Sequence, residues 1–387
     1  MSEIYLDYNA TTPVDPRVVK AMEPFLYENF HNPSSLYKGA KITKKAIEDS
    51  REKIAALIGA SPKEIIFTGG GSESDNHAIK GTAFSLMHKG KHIITSSIEH
   101  HAVLHTCKFL EKIGFEITYL PVDSYGIVTP DSVKRAIRDD TILVSIMFAN
   151  NEIGTIEPIK EISKITREKG ILFHTDAVQA VGKIPVNVKE IDVDMLSLSA
   201  HKFYGPKGVG ALYVRKKTRI ASLIHGGMQE RGKRAGTENI AGIVGAGKAA
   251  EIAMEEMEEE KIKIKPLRDK LEKELLKRIP EIIVNGHPSK RLYNTLNITV
   301  KYIEGEGMLT FLDFEGISVS SGSACASGSL DPSHVLLAIG VPVEHAHGSL
   351  RFSLGKYNTE KDIEKVIDIL PGIVERLRKI SPLWKEK

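Results

Sequence analysis

A repeated alternation between short apolar segments and longer amphipathic ones, running from residue 65 to residue 214, constrains the fold more than any other feature. Short apolar strands that alternate with helices indicate a mainly parallel sheet covered by helices on both faces. Ligands bind such a sheet beyond the carboxyl ends of its strands, so the residues that follow each strand are the candidates for chemistry. The predicted strands are 65–67, 91–95, 115–120, 142–146, 171–174, 195–198 and 210–214.

The last third of the chain has a different pattern. Residues 241–280 are charged and helical, and Pro266 is predicted to kink or divide that helix. Residues 297–300 and 349–354 alternate apolar and polar side chains like half-buried strands. Because 387 residues are too many for one simple core, we predict a large α/β domain over residues 14–259 and a small α+β domain made of residues 1–13 and 260–387.

The composition excludes several functional classes. The 53 basic and 50 acidic residues leave a formal net charge of only +3, which gives no electrostatic reason to expect a nucleic-acid partner. No apolar run reaches the roughly 18 residues of a membrane-spanning helix, and the N-terminus lacks the apolar core of a signal peptide. With only two cysteines, a disulfide framework is not expected. We therefore predict a cytoplasmic protein with no membrane partner.

A glycine-rich segment, FTGGGSES at 67–74, runs from a strand into a helix. Its glycines allow close backbone approach, and the N–H groups at a helix N-terminus bind anions, so Gly71 and Ser72 are candidates for holding a phosphate. It is neither a Walker A loop nor the dinucleotide fingerprint, because it lacks the Gly-Lys-Ser/Thr of the one and the last glycine of the other. A flexible turn with Ser72 as helix cap is the structural alternative.

An aspartate and a lysine follow two of the buried strands. Asp176 would need a cationic partner, which a protonated pyridine nitrogen supplies, although a helix cap is an equal alternative. Lys202 lies among small and apolar residues, and lysine is the side chain that forms Schiff bases. Lys207, in a Gly-Pro-Lys-Gly turn, is the rival lysine and is interpreted as a turn residue.

Cys325 lies in a run of ten Ser, Gly, Ala and Cys residues at 320–329. Such a run buries little apolar surface, so we expect an exposed and reactive thiol. Cys107, by contrast, shares a helix face with apolar residues and is predicted to be a core cysteine. No second thiol is near Cys325 in the sequence, so a metal site is not predicted.

Two further side chains are candidates for binding. His100 follows a strand, where its ring could stack on an aromatic cofactor and move protons, although a surface histidine is the simpler interpretation. Arg351 points away from its apolar neighbours in an alternating strand and therefore needs a carboxylate partner. That partner is either a substrate or an internal Asp or Glu.

Taken together, the motifs resemble the cysteine desulfurase family, the NifS/IscS type of class V aminotransferase-like enzymes. They occur in one order along nearly the whole chain. The matching stretches are LDYNATTP at 6–13, GSESDN at 71–76, EH at 99–100, NNEIG at 150–154, DAVQ at 176–179, SAHKFYGPKG at 199–208, RAGT at 234–237, SSGSACASGSL at 320–330, PSH at 332–334 and SLRFS at 349–353.

The resemblance implies a fold, a cofactor and a set of site residues. The fold is the aspartate-aminotransferase-like fold type I of PLP-dependent enzymes, a mainly parallel α/β domain with a smaller α+β domain. The cofactor is pyridoxal 5'-phosphate (PLP). Lys202 would hold it covalently, Asp176 would pair with its ring nitrogen, and His100 would stack on its ring. Gln179 would hydrogen-bond the phenolic oxygen of the ring, and Asn151 would help to fix the cofactor or the substrate. The other implied contacts are Gly71, Ser72, Ser199 and His201 to the phosphate, with Thr237 from a second subunit, and Arg351 with Asn151 to the substrate carboxylate.

The resemblance also implies the reaction and the partners. L-cysteine would be converted to L-alanine, and Cys325 would carry the sulfur as a persulfide to acceptor proteins in iron–sulfur cluster assembly or in tRNA or cofactor thiolation. Relatives are homodimers, and Cys325 could transiently ligate an iron–sulfur cluster with a partner. Selenocysteine lyase, another aminotransferase-type PLP enzyme, and a sulfur-carrier module without cofactor are the alternatives. Intact Lys202, Asp176 and His100 disfavour the last of these.

Overall fold

The secondary structure follows the alternation seen in the sequence. The computed structural model describes residues 3–321, 332–382 and 384. Along these residues the strands are β1 Ile4–Tyr5, β2 Ile65–Thr68, β3 His92–Ser96, β4 Glu116–Leu120, β5 Thr141–Ser145, β6 Leu172–Asp176, β7 Met195–Ser199, β8 Gly210–Val214, β9 Ile282–Asn285, β10 Thr295–Val300, β11 Ile317–Ser318 and β12 Ser349–Ser353.

The helices of the same residues separate these strands. They are α1 Pro16–Met22, α2 Pro24–Tyr27, α3 Lys38–Leu57, α4 Gly71–Leu86, α5 His101–Lys112, α6 Pro130–Ala136, α7 Ile159–Lys169, α8 Val188–Ile191, α9 Ile240–Arg278, α10 Gly305–Phe314, α11 His334–Ala338, α12 Val343–Ala346 and α13 Glu360–Ile380. Short 3₁₀ turns cover Pro62–Glu64, Ala200–Lys202 and Gln229–Gly232. Among the described residues, no helix is both long enough and apolar enough to cross a membrane.

A seven-stranded sheet forms the larger layer, with strand order β2-β8-β7-β6-β5-β3-β4. Neighbouring strands pair in parallel except around β8, which runs antiparallel to both β2 and β7. All the parallel strands therefore end at one edge of the sheet. The predicted fold class, a mainly parallel α/β sheet of the PLP fold type I kind, is confirmed.

Alternating side chains bury both faces of this sheet. On one face, Phe67, Phe173 and Leu198 pack with residues of α3 and the first half of α9. On the other, Ile66 and Leu143 pack with residues of α4 and α5. The second cluster includes Cys107, which is fully buried as predicted. Because both faces are covered, polar side chains concentrate at the strand ends.

The last third of the chain builds a three-stranded antiparallel sheet in the order β12-β10-β9. Its core also takes in Ile4 and Leu6 from the N-terminal arm, and Leu271 and Leu275 from the second half of α9. The arm is held by parallel pairing of β1 with β11. The proposed domain limits, 14–259 and 1–13 plus 260–387, remain a prediction, and the limit at residue 259 falls inside α9.

Pro266 does not divide the helix that contains it. α9 is one helix of 39 residues with Pro266 inside it. Proline removes one backbone hydrogen bond from a helix interior. Here the helix is packed on both sides of that point, because Ile264 before it and Leu271 after it both lie in the core of the small sheet. Tertiary packing thus outweighs the local cost, and of the two outcomes predicted for Pro266, a kink or a division, the division is wrong.

Gly210, the first residue of β8, packs against the backbone of the glycine-rich segment. A Cβ added to Gly210 would lie 2.8 Å from Gly70 Cα and 2.6 Å from Leu198 O, both backbone atoms. We expect Gly210→Ala to lower the free energy of unfolding by about 1–3 kcal/mol, because backbone cannot yield as a side chain can. Urea unfolding measures this.

Gly372→Ala is the matched control for that substitution. Gly372 lies inside α13, and a Cβ there meets no atom within 4 Å. We expect this variant to be as stable as the parent protein or up to ~1 kcal/mol more stable. Equal effects of the two substitutions would contradict the steric argument.

Candidate active site

A cavity of about 300 Å³ lies at the edge of the large sheet where the parallel strands end. Five strands place polar residues at the cavity, either at their carboxyl ends or in the segments that follow. β2 leads to α4, β3 to His100, β5 to Asn151, β6 to Asp176 and β7 to Lys202. Its lining residues are Asn9, Ala10, Gly71, Ser72, Asp75, His100, Met147, Ala149, Asn151, Asp176, Val178, Gln179, Ser199, His201, Lys202 and Arg351. The structure thus brings together nearly all of the residues predicted for the site.

Lys202 ends the 3₁₀ turn that follows β7. Its Nζ donates hydrogen bonds to the carbonyl oxygens of Asn9, at 2.5 Å, and Ala10, at 2.8 Å. Both acceptors belong to the N-terminal arm, so the arm and the lysine hold one another at the cavity. The rival Lys207 is exposed and does not line this cavity.

Asp176 is the last residue of β6 and is buried at the floor of the cavity. One carboxyl oxygen accepts the Val178 N–H at 2.9 Å. Burial raises the pKa of Asp176 to about 6, against the opposing effects of that hydrogen bond and of Lys202. A cation that faces this carboxyl would lower its pKa and favour the ionised form.

Asp75, on α4, is a second buried carboxyl in the same cavity, and the sequence analysis assigned it no role. Burial, reinforced by the negative charge of Asp176, raises the pKa of Asp75 well above its usual value. Among the described residues its Oδ1 has no hydrogen-bond partner. The raised pKa favours the protonated form of Asp75, so that Asp176 is the carboxyl of the two that ionises more readily.

An anion-binding corner lies where α4 begins. Gly71 is the first residue of this 16-residue helix, and Ser72 follows it at the exposed rim. A Cβ at Gly71 would lie 2.8 Å from Val178 Cγ2, so only glycine brings the backbone so close to the floor. Ser199 and His201 face the same corner. Free N–H groups and the helix dipole favour an anion there.

His100 caps the start of α5. Its Nδ1 accepts the Ala102 N–H at 3.1 Å, which leaves the proton of the neutral ring on Nε2. Burial lowers the pKa of His100 to about 4, and the positive charge of Lys202 acts in the same direction. The ring is therefore neutral at physiological pH and is free of the charge that would oppose stacking on an aromatic group.

Glu99, next to His100, is fully buried. Its Oε1 accepts hydrogen bonds from Ser96 Oγ at 2.7 Å and from the Met147 N–H at 2.9 Å, while Oε2 has no partner among the described residues. Burial raises the pKa of Glu99 to about 8. The folded protein therefore keeps a proton on this carboxyl at neutral pH.

Arg351, on β12, reaches the cavity from the small sheet and is 2 % exposed. Its guanidinium donates to Asp7 Oδ1 at 2.7 Å and to the Asn151 carbonyl at 3.1 Å, and its Nε has no partner among the described residues. Of the two partners foreseen for it, the internal carboxylate is present. The guanidinium nevertheless lines the cavity and has donor capacity left.

Asn9 connects the arm to the site. Its carbonyl accepts from Gln179 Nε2 at 2.9 Å, and its Nδ2 donates to the Asn151 carbonyl at 3.1 Å. Asn9, Asp75 and Lys183 are three polar residues at the site that were given no role from the sequence. Asn9 and Asp75 lie within the quoted motifs, and Lys183 is a lysine in the otherwise apolar stretch 180–186, so each had a signal in the sequence.

Two of the predicted site residues are not among the described residues that line the cavity. Thr237 is exposed and is absent from the cavity lining, and its predicted contact comes from a second subunit. Cys325 lies outside the described residues. Among the residues that are described, no group of three or more His, Cys, Asp or Glu side chains is placed to hold a metal ion.

The cavity has the chemical features that pyridoxal phosphate requires. It holds an amine able to form a Schiff base, a buried carboxyl with a raised pKa, and a helix N-terminus suited to a phosphate. The neutral His100 ring and the Gln179 amide line it as well. The residues therefore fit the group, and the site is of the kind found in PLP-dependent enzymes.

Comparisons with known proteins agree with this class. The aminotransferase class-V family matches residues 4–366. A curated relative named cysteine desulfurase IscS, from Dictyoglomus turgidum, is 62% identical over 384 residues, which are 99% of this chain and 98% of the relative. A solved structure described as a NifS-like protein is 42% identical with a TM-score of 0.91, covering 97% of this chain and all of the other.

A second solved structure, described as SspA in complex with cysteine, is 41% identical with a TM-score of 0.82. It covers 92% of this chain and 100% of its own. The chain belongs to the aminotransferase class-V family and, within it, to the cysteine desulfurases. The resemblance found in the motifs is confirmed, and the cofactor of this family is pyridoxal phosphate.

The buried Glu99 predicts a particular dependence of stability on pH. An unfolded glutamate titrates near pH 4.3, whereas folded Glu99 titrates at about 8. Between these values the folded state holds a proton that the unfolded chain has released, so this group lowers the free energy of unfolding as the pH rises. We expect Glu99→Gln to make the decline from pH 5 to pH 8 less steep, as measured by urea unfolding.

Glu168→Gln, at an exposed position of α7, is the control for that measurement. This substitution replaces the same chemical group at an exposed position. We therefore expect the free energy of unfolding of this variant to depend on pH as it does in the parent protein. An unchanged slope in Glu99→Gln would mean that this carboxyl is ionised in the folded protein.

Proposed function

We propose that this protein is a PLP-dependent cysteine desulfurase, which converts L-cysteine to L-alanine and holds the sulfur as a persulfide on Cys325. The observation that carries the proposal is the meeting of Lys202, Asp176 and Arg351 on one cavity. An amine, a buried carboxyl and a guanidinium are the groups needed to hold the cofactor at two places and an amino acid by its carboxylate.

The roles proposed for the cavity residues follow their chemistry. Lys202 holds the cofactor covalently, Asp176 pairs with the ring nitrogen, and the neutral His100 ring stacks on the cofactor ring. Gln179 hydrogen-bonds the phenolic oxygen of the ring, and Asn151 contacts the cofactor or the substrate. The phosphate is held by Gly71, Ser72, Ser199 and His201, with Thr237 from a second subunit. When bound, the cofactor supplies an electron sink for the charge that develops at the substrate Cα.

Lys202 is also the proposed base. Its Nζ is close to the neutral His100 and to two backbone carbonyls that accept from it. Lysine is one of the side chains that transfer protons when placed within reach of a reacting atom. We therefore assign to Lys202 Nζ the removal of the proton from the substrate Cα and its later return to carbon.

Arg351 and Asn151 are proposed to bind the substrate carboxylate. The Arg351 Nε has no partner among the described residues, and Asp7 occupies only one of its terminal nitrogens. A guanidinium can bind a carboxylate through two parallel N–H groups. Asp7 then keeps the guanidinium aligned. Because Asp7 is partly exposed to water, its negative charge is screened and the guanidinium can still attract the substrate carboxylate.

The two ends of the segment that contains Cys325 are both anchored at the cavity. Ser320 pairs with Arg351 through two backbone hydrogen bonds, at 2.7 and 3.3 Å. On the other side, His334 Nε2 is 3.0 Å from the Glu99 carbonyl. Cys325 follows Ser320 by five residues, and five residues of extended chain span about 17 Å. We infer that a chain of this length lets the thiol reach the cavity.

The proposed sulfur transfer is balanced without an external oxidant. The Cys325 thiolate attacks the sulfur of the substrate, and a sulfur–sulfur bond forms between them. The carbon–sulfur bond of the substrate breaks and leaves its electron pair on carbon. That carbon is then protonated, which gives alanine. The persulfide on Cys325 is the form in which sulfur passes to an acceptor protein.

We propose a homodimer, as is usual among relatives, in the cytoplasm. Large apolar side chains are exposed on one stretch of the chain, with Leu26, Phe30 and Leu36 at 65%, 66% and 92% exposure. Such a patch is typical of a protein interface. The proposed acceptor is an iron–sulfur scaffold protein or another sulfur-accepting protein.

The first test is substitution of the two rival lysines. We expect Lys202→Ala to abolish formation of alanine from cysteine and to remove the visible absorbance of the bound cofactor. Lys207→Ala, at an exposed turn, should keep both. Turnover retained in Lys202→Ala and lost in Lys207→Ala would transfer the role to Lys207.

The second test uses the two cysteines. We expect Cys325→Ala to bind pyridoxal phosphate with an unchanged spectrum and to form no persulfide, as measured by mass spectrometry after incubation with cysteine. Cys107→Ala is the control, because burial raises the pKa of Cys107 to about 12 and removes it from chemistry. Sulfide release by Cys325→Ala at the parental rate would show that another group receives the sulfur.

A further inference from the structure

Lys183 is a fully enclosed lysine that no step of the proposed reaction uses. It is 5% exposed and lies directly behind the cavity wall. A buried ammonium is costly unless its N–H groups are bonded. Its Nζ donates to Gln179 Oε1 at 2.6 Å and to Asn9 Oδ1 at 3.0 Å. Both of these partners line the cavity.

A local turn of the backbone places the Lys183 side chain next to the Gln179 side chain. The backbone turns between these residues, with Lys183 N–H donating to the Ala180 carbonyl. Gly182 has a φ of +80°, and a Cβ there would lie 2.4 Å from Phe203 Cβ. Only glycine allows this turn against Phe203, and the turn directs the next side chain to Gln179.

The hydrogen bonds of Gln179 determine which way its amide faces. A lysine side chain can only donate when charged, so the atom that faces Lys183 is the amide oxygen. The amide nitrogen then donates one N–H to the Asn9 carbonyl. Its second N–H is left for a group in the cavity. Gln179 thus presents a donor, and not an acceptor, to whatever binds there.

We propose that Lys183 is a positioning residue, which holds Gln179 and Asn9 so that the Gln179 amide donates a hydrogen bond to an anionic ring oxygen of the cofactor. The inference rests on the proposed function, since it assigns pyridoxal phosphate to this cavity. Without Lys183, Gln179 Oε1 would be a buried acceptor with no donor, and the side chain could recover one only by leaving its place.

Deprotonation of Lys183 does not undo this arrangement. The charged groups that face it are Lys202 and Arg351, which oppose its charge, and Glu260, which favours it. Burial is the largest influence and lowers the pKa of Lys183 to about 7. A neutral amine still carries two N–H groups, one for each oxygen. The positioning role therefore does not depend on the protonation state.

The test is a double-mutant cycle on cofactor affinity. Apo-protein of the parent, Lys183→Met, Gln179→Ala and the double variant is titrated with pyridoxal phosphate. We expect Lys183→Met to weaken binding roughly tenfold, the effect of losing a hydrogen bond to a charged group. If Lys183 acts through Gln179, it should add less than a factor of two in the Gln179→Ala background. Independent tenfold losses that multiply would overturn the proposal.

A spectroscopic readout separates positioning from simple charge. Removing the donor to the ring oxygen should raise the pH midpoint of the absorbance change of the bound cofactor in Lys183→Met. That rise should disappear in the Gln179→Ala background, whereas a direct effect of the Lys183 charge would persist there and contradict positioning. Lys183→Gln, which keeps an N–H donor, should recover part of the affinity.

The possible failures can be told apart. Far-UV circular dichroism checks that each apo-variant is folded, and Lys183→Leu replaces Lys183→Met in the cycle should the latter not fold. If the parent apo-protein binds no pyridoxal phosphate, the proposed function itself is wrong. If it binds the cofactor and Lys183→Met binds it equally well, only the positioning role is wrong.

Discussion

The shared edge at which the parallel strands end is the constraint on which the site depends. β6 and β7 are neighbours, so the residues at their carboxyl ends, Asp176 and Lys202, must meet at that edge. The loops after β2, β3 and β5 reach the same place. This arrangement requires both faces of the sheet to be buried, because only then is each strand held rigidly enough to aim its terminal side chain.

The N-terminal arm closes the site from the other side. Asn9 accepts from Lys202, Gln179 and Lys183 and donates to Asn151, so one short segment touches residues that follow β5, β6 and β7. Arg351 adds the small sheet through its bond to Asp7. The cavity is therefore assembled from distant parts of the chain, and hydrogen bonds between those parts hold it together.

Burial gives the site its electrostatic character. Glu99 holds a proton at neutral pH, the protonated form of Asp75 is favoured, and His100 is uncharged, because ionisation of any of these buried groups would lose hydration. Asp176 is left as the carboxyl that ionises when a cation faces it. Lys202 and Arg351 then provide positive charge beside a largely neutral wall, which suits a cofactor and a substrate that both carry negative charge.

The sequence by itself determined the alternation of strands and helices, the glycine-rich helix start, and the identity of Lys202, Asp176 and Arg351 as candidates, because each of these depends on local residue pattern. Only the tertiary structure decided that α9 continues through Pro266, that Asp7 pairs with Arg351, that Asp75 lines the cavity and that Lys183 lies behind its wall. These outcomes depend on packing and on contacts between residues far apart in the chain, which local patterns do not specify.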